Sequence, residues 1–331
     1  MYTDVVGLDI SKKTIDATIV FFGKKESYHD AFLNREFGFD HLLKWVAKYS
    51  NESSLLFCLE NTGYYSHAIC EYLDKKERNY ALVNPVKIKR SMGLRRGKSD
   101  KADSKVIALY GLKFHDEIRT GTVIKGELLD LRLLLAHRKR IQDKELAYQR
   151  HEKHLEYCIR KSKTTKYVLK DLKKQKEYLK KQRKVTETKI DEFVRSIPEI
   201  QKNCDLLQSI PGVGPMIALN VIIQTHNFKQ IRCPRKFSCY CGVAPFKKES
   251  GSSLRKGTKV SHFGHKKLKK LLNFGAMNAI RNDPQMKAYY QKKVESGKSK
   301  MSVLNAIRNK LIHRMFATIN RRTPYVVHQT F

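Results

Sequence analysis

The chain opens on a compact apolar run, Val5-Val6-Gly7-Leu8-Asp9-Ile10, and a second run rich in β-branched and aromatic residues extends from Thr14 to Phe22. The short polar step Ser11-Lys12-Lys13 between them predicts an opening β-hairpin. Farther on, Leu42, Leu43, Val46 and Ala47 recur at helical spacing behind Asp40, which reads as an N-cap. Ser54 to Leu59 is the third predicted strand. It leads into Glu60-Asn61-Thr62-Gly63 and a helix from about Tyr64 to Lys75. Tyr80 to Val83 is the fourth, closed by Asn84-Pro85. Strands alternating with helices place residues 1–120 in the α/β class, a sheet with helices packed on it.

The pattern changes near Lys125. From there to Ser196 there is no proline, a single glycine (Gly126), and a preponderance of Lys, Glu, Gln and Arg. Leu128, Leu131 and Leu135 start a three-four apolar spacing, and Leu172, Leu179, Ile190 and Phe193 continue it less regularly. Residues 125–197 therefore read as a coiled coil or a helical hairpin, with Lys161 to Lys166 as the candidate turn. One continuous helix would be on the order of 100 Å long. Periodicity alone does not choose between the two. Residues 198–325 read as compact and mostly helical. One stripe joins Leu268, Leu271, Leu272, Gly275, Ala276 and Ala279, and another joins Leu304, Ile307, Leu311, Met315 and Ile319.

Composition adds the partner class. The 331 residues carry 67 Lys and Arg against 32 Asp and Glu, a net charge of +35. Self-repulsion of that size weakens a compact state unless a polyanion is the usual partner. No apolar run approaches the roughly 18–20 residues that span a bilayer, and Met1 to Asp9 has no signal-peptide pattern. Nucleic acid is the expected partner, not a membrane. The seven cysteines include no Cys-x-x-Cys pair, and Cys233, Cys239 and Cys241 with His226 match no zinc spacing, so they read as reduced thiols.

Candidate chemistry begins with an acid inside the first strand. Asp9 lies between Leu8 and Ile10, where a carboxylate is costly unless it meets an edge or a cation. Glu60 closes the third predicted strand. Asp100 and Asp103 share one face of a predicted helix, Ser99 to Leu112, by their i, i+3 spacing. Singly, that pair would be ordinary helix-start residues favoured by the macrodipole. Four acids converging at the carboxyl ends of strands, however, would suit two Mg²⁺ ions clamping an in-line phosphoryl transfer. A basic run, Lys87, Lys89, Arg90, Arg95, Arg96 and Lys98, precedes the pair and suits a phosphate backbone held over it.

The segments VVGLDIS, CLENTGYY and VNPVKIKRSMGLRRGKSDKADSKVIA resemble the RuvC-like DEDD domain of IS110-family transposases and the related Piv-type DNA invertases. The resemblance implies an RNase H-like fold and assigns Asp9, Glu60, Asp100 and Asp103 as ligands of Mg²⁺, with Mn²⁺ as a substitute. It covers about residues 5–115 and 200–320.

Near the C-terminus, Ser209-Ile210-Pro211-Gly212-Val213-Gly214-Pro215 ahead of an apolar helix has a helix-hairpin-helix pattern. Gly212 and Gly214 would either let N–H groups hold a phosphate or simply make a tight inter-helix turn. Farther on, Glu249-Ser250-Gly251-Ser252-Ser253, Lys256-Gly257 and Gly264-His265-Lys266-Lys267-Leu268 read as a flexible Gly/Ser loop amid cations. This region resembles the IS110-type C-terminal transposase domain, whose nucleophilic serine falls on the Ser-Gly step, here Ser250, with Ser252 and Ser253 as neighbours open to the same assignment. The chain departs from the family in carrying His262-Phe263 ahead of its G-x-x-x-L element. The implied role is attack on a DNA phosphate to give a covalent phosphoserine. Lys247, Lys248, Arg255 and Lys256 would stabilise its charge, and Arg255, Lys256, Lys266 and Lys267 would contact nucleic acid.

The expected protein is a site-specific recombinase of a mobile element, working on DNA in the bacterial cytoplasm at the nucleoid. The resemblance further implies a structured guide RNA and a homo-oligomer, dimer or tetramer, with each active site completed between subunits. The rival readings are a RuvC-like DNA invertase without guide RNA, a junction-type nuclease using the four acids alone, and a non-catalytic scaffold.

Overall fold

The computed structural model describes residues 2–51, 54–60, 63–91, 93, 99–118, 120–121, 126–158, 162–250, 254–261 and 263–327, with the backbone path alone for 158, 247–250 and 254–259. The chain forms two compact units, Met1–Lys125 and Gly126–Phe331.

The first unit is built on a five-stranded sheet. Its strands are β1 (Asp4–Ile10), β2 (Thr14–Phe21), β3 (Ser27–Leu33), β4 (Leu55–Glu60) and β5 (Tyr80–Val83), in the order β3-β2-β1-β4-β5. The first three are antiparallel neighbours, while β4 and β5 join in parallel. Helices α1 (Glu36–Val46), α2 (His67–Lys75), α3 (Pro85–Ser91) and α4 (Asp100–Lys113) accompany it. This is the RNase H-like arrangement.

The opening hairpin forms as expected, with the Ser11 hydroxyl accepting from Thr14 N–H at the turn (3.0 Å). Two expectations are corrected. Strand β3 went unread because its residues, Ser-Tyr-His-Asp-Ala-Phe-Leu, are mostly exposed at the sheet edge and show no apolar run. What reads as the third strand is thus β4. Asp40 is not an N-cap but lies inside α1, whose N-cap is Arg35, and its carboxylate accepts a hydrogen bond from the Tyr72 hydroxyl of α2.

Packing of α4 on the sheet sets the rest of this unit. A Cβ on Gly7 would stand 2.2 Å from the Ser104 carbonyl oxygen and 2.3 Å from the Ala108 nitrogen. The backbone of α4 therefore lies directly on β1. Gly111, one turn farther along, meets the Val5 and Cys58 side chains in the same way. A buried hydrogen bond between the Thr18 and Ser104 hydroxyls (2.7 Å) ties the helix to β2.

The second unit begins with α5 (Gly126–Cys158) and α6 (Lys163–Arg195), each 33 residues and about 50 Å long by helical rise. They form the helical hairpin, one of the two arrangements open to the sequence. Arg138 Nε donates to Glu187 (2.8 Å), Arg183 Nε to Glu145 (2.8 Å), and Lys176 pairs with the buried Glu152, so one chain runs down as the other runs up. The new helix is capped by Ser162, whose hydroxyl accepts from Thr165 N–H. Helix α6 therefore already runs through most of the Lys161 to Lys166 stretch expected as the turn.

The remainder comprises α7 (Pro198–Gln208), α8 (Pro215–Thr225), α9 (Pro234–Tyr240), β6 (Pro245–Ser250), β7 (Leu254–Val260), α10 (Lys266–Asn282), α11 (Pro284–Glu295) and α12 (Lys300–Arg321). Helix α12 is its centre. Its stripe of Leu304, Ile307, Leu311, Met315 and Ile319 is buried, as are Leu268, Leu272, Gly275, Ala276 and Ala279 of α10. The supposed Gly/Ser loop is largely an antiparallel hairpin, β6 with β7, in which Ser250 pairs with Leu254 and Pro245 with Val260. No helix among the described residues is long and apolar enough to cross a membrane.

Because no side chain fits between β1 and α4, Gly7→Ala must push the helix off the sheet. A loss of about 1–3 kcal/mol is expected, read as a lower denaturant midpoint at unchanged slope, and an unaltered midpoint would contradict this packing.

Candidate active site

Asp9 and Glu60 arrive at neighbouring positions through strand register. Parallel pairing matches Leu8 with Leu59, so the next residues, Asp9 and Glu60, stand side by side at the carboxyl ends of β1 and β4. Side chains alternate across a strand, so Asp9 shares the face of Gly7, the face that α4 covers. Helix α4 meets Gly7 through Ser104 and Ala108 and Val5 through Gly111, so it runs opposite to β1. Its first turn, with Asp100 and Asp103, consequently starts at the end of the sheet where Asp9 and Glu60 sit. The Ser99 hydroxyl already caps this helix by accepting from Ala102 N–H (3.2 Å).

The electrostatics agree with this geometry. The Asp9 carboxyl is raised to about 6, first by burial and then by the negative charges of Asp103, Asp100, Glu60 and Asp16. Asp16 is the acid that sequence reading passed over. The hairpin register sets it directly opposite Asp9, and it receives His29 Nε2 from β3 at 3.0 Å. The three-residue polar turn was the available signal, since closing a hairpin there fixes which β2 residue faces Asp9.

An all-carboxylate set of this kind suits a hard divalent cation, which would relieve the mutual repulsion. Among the described residues no three such side chains already stand as a ligand group. The acids share one electrostatic field without forming a finished coordination shell.

Lys87, Lys89 and Arg90 are exposed on the short α3, just after β5. Arg95, Arg96 and Lys98 lie outside the described residues.

In the second unit, Ser250 closes β6, while Ser252 and Ser253 lie outside the described residues, as do the side chains of Ser250, Arg255 and Lys256. Gly212, at φ +93°, owes its missing side chain to packing: a Cβ there would lie 2.5 Å from the Gly275 carbonyl oxygen of α10. Gly214 is the N-cap of α8. Pro215 brings no N–H, and the N–H groups of Ile217 and Ala218 turn back to the Gly214 carbonyl, so this turn is a poorer anion nest than its glycines suggest. Lys266 and Lys267 open α10, which His265 caps through Nδ1. Burial lowers the Lys267 ammonium, as does repulsion from Lys139, Arg132 and Arg138 of α5, so α5 and α10 share one positive face.

An RNase H-like sheet with acids from β1, β4 and the first turn of α4 defines the class: a DEDD-type transposase, an enzyme that acts on DNA with a divalent metal. Residues 6–158 match the DEDD transposase domain of IS110 elements, and residues 204–291 match the Transposase IS116/IS110/IS902 family. The chain belongs to the IS110 transposase family. It is 24% identical over 328 residues to the pilin gene-inverting protein of Moraxella bovis, covering 97% of both chains, and equally to that of Moraxella lacunata. The transposase for insertion sequence element IS1111A of Coxiella burnetii is 26% identical over 139 residues, 41% of this chain and 38% of that one.

With its pKa raised in the folded state, Asp9 contributes stability below the ordinary carboxylate range of about 4 and loses it as pH rises through about 6. Asp9→Asn should therefore raise the melting temperature of the metal-free protein at pH 7 but not at pH 4, while abolishing DNA cleavage. An Asp9→Asn variant that melts with wild type at both pH values would refute the raised Asp9 carboxyl.

Proposed function

We propose that the protein is a site-specific DNA recombinase that excises and inserts a mobile element, directed by a structured RNA encoded with that element. The observation that carries the metal half is the position of Asp9, Glu60, Asp100 and Asp103 at one end of the sheet, where burial and then the charges of the other three raise Asp9. These four residues would hold one or two Mg²⁺ ions, with Mn²⁺ as a substitute. A bound ion there supplies positive charge to the phosphate oxygens of the scissile DNA and lowers the pKa of an attacking hydroxyl. The chain's own contribution would be to bring carboxylates from three elements to one end of the sheet and to present cations along the approach. Lys87, Lys89 and Arg90 with Arg95, Arg96 and Lys98 would hold the DNA backbone beside the acids.

Ser250 is the proposed nucleophile. Its Oγ attacks the phosphorus and loses its proton, the bond to a deoxyribose oxygen breaks, and that oxygen leaves as a hydroxyl. The phosphoserine keeps a phosphodiester in place of the broken one, so the hydroxyl of another strand can reverse the step and seal the exchange. Lys247, Lys248, Arg255 and Lys256, close in sequence on the two strands of the hairpin, would balance the charge of the pentavalent transition state. Lys266, Lys267, Gly212 and Gly214 belong to the surrounding nucleic-acid surface in this reading. The homo-oligomer, dimer or tetramer, would complete each site with the acids of one subunit and the serine of another. The α5–α6 hairpin is the candidate assembly element, and guide RNA accounts for part of the +35 charge.

DNA inversion is the second reading. It rests on the two pilin gene-inverting proteins, which match this chain over nearly its whole length.

The deciding experiment begins by expressing the gene with its native flanking DNA and sequencing any RNA that copurifies. A single discrete transcript from the flank is expected, whereas random cellular RNA or none favours unguided inversion. On the substrates so defined, with Mg²⁺, wild type should leave a denaturant-resistant protein–DNA adduct. Ser250→Ala should lose it and Ser252→Ala and Ser253→Ala should keep it. Cleavage that survives Ser250→Ala would point instead to a nuclease using the four acids and water.

A further inference from the structure

In the second unit, α10, α11, α12 and the root of the β6–β7 hairpin line a cavity of about 1150 Å³ that opens to solvent. Arg308 of α12 lines it and is only 6% exposed. Its guanidinium touches Asn305 Oδ1 (3.4 Å) and Asn273 Oδ1, both neutral amides, and its Nε has no hydrogen-bond partner. A buried guanidinium is ordinarily paired with a carboxylate or phosphate, because taking it from water is otherwise strongly unfavourable. No carboxylate lines this cavity among the described residues. Arg314, which also lines it, is already committed to Asp283 and Gln285. Arg308 is therefore the buried cation that still lacks its anion.

The neighbours say what sort of anion. Lys269 of α10 lines the same space, and its ammonium is lowered by burial and by Arg308, so the two positive charges press on one another. Lys310, exposed at the cavity, sits over the Tyr289 ring at 4.5 Å, and Met301 adds an exposed apolar surface. Cations beside an aromatic face are what single-stranded nucleic acid requires, with its phosphate on the charge and its base on the ring. Amides of Asn305 and Asn309 line the wall. The volume exceeds that of one nucleotide, and Pro245 and Val260, the paired ends of the hairpin that leads to Ser250, form part of the rim.

We propose that this cavity receives an unpaired nucleotide, its phosphate on Arg308 and Lys269, a flanking phosphate on Lys310 and its base against Tyr289 and Met301, and so anchors a single strand beside the serine hairpin. The inference rests on the nucleic-acid reading of the second unit and adds to it a defined subsite for single-stranded phosphodiester. The strand is DNA being exchanged or unpaired RNA, two sources with one chemistry.

The test uses full-length protein carrying Ser250→Ala, so that binding is measured without strand cleavage. Fluorescein-labelled single-stranded DNA, single-stranded RNA and duplex DNA of one sequence are titrated by anisotropy at several salt concentrations. Arg308→Gln and Lys310→Gln should each weaken single-strand binding about tenfold, with the slope of log affinity against log salt falling by about 0.7 for each phosphate no longer neutralised. Tyr289→Ala should weaken it at unchanged salt slope, because stacking releases no counterions. Duplex affinity should stay within about twofold. Loss confined to DNA or to RNA identifies the source. If single-strand and duplex binding fall together, or if none of the three variants changes single-strand affinity, the subsite does not exist. Should Arg308→Gln lower the melting temperature, the exposed Lys310 and the ring of Tyr289 still decide the matter. A Ser250→Ala protein that continues to cleave DNA would sink the serine reading and leave this measurement intact.

Discussion

The first unit depends on one steric fact: β1 offers no side chain where α4 crosses it. With Gly7 beneath Ser104 and Ala108, helix and strand meet backbone to backbone, and Gly111 repeats the close approach one turn on. A helix held off by an ordinary side chain would lie some ångströms higher. Its first turn would then no longer share an electrostatic environment with the strand ends. The buried Thr18–Ser104 hydroxyl pair sets the helix along its axis, as the glycines set its height. The position of Asp9 beside the first turn of α4 is a consequence of packing at Gly7, two residues away.

That packing brings like charges together, at a cost. Asp9, Glu60, Asp100, Asp103 and Asp16 crowd one end of the sheet, and burial together with the charges of the other four keeps the Asp9 proton to about pH 6. Folding contributes the energy needed to assemble this cluster, and a divalent cation held there, as proposed, would return part of it.

The second unit answers its charge differently. Along α5 and α6 the cations find acids: Arg138 with Glu187, Arg183 with Glu145 and Lys176 with Glu152 set the register of two long helices that have few buried apolar residues between them. Where α5 meets α10, Lys267 faces Lys139, Arg132 and Arg138, and in the α10–α12 cavity Arg308 finds amides. The uncompensated charge of Arg308 is what the proposed strand would complete.

Several features were legible in the sequence because they are local. A polar turn between two apolar runs made the first hairpin. Ser99 ahead of Asp100 and Asp103 started α4, and the leucine stripes of α10 and α12 announced their buried faces by period alone. The family was legible through short motifs around the acids, and those motifs match their family models. Tertiary structure decided what depends on neighbours distant in the chain. Edge strand β3 takes its pairing from β2 and needs no apolar run of its own. Asp40 is claimed by Tyr72 of another helix, and a loop-like Gly/Ser stretch pairs with itself into β6 and β7. The unpaired state of Arg308 is of the same kind, since a sequence names an arginine but only the fold shows which carboxylates fail to reach it.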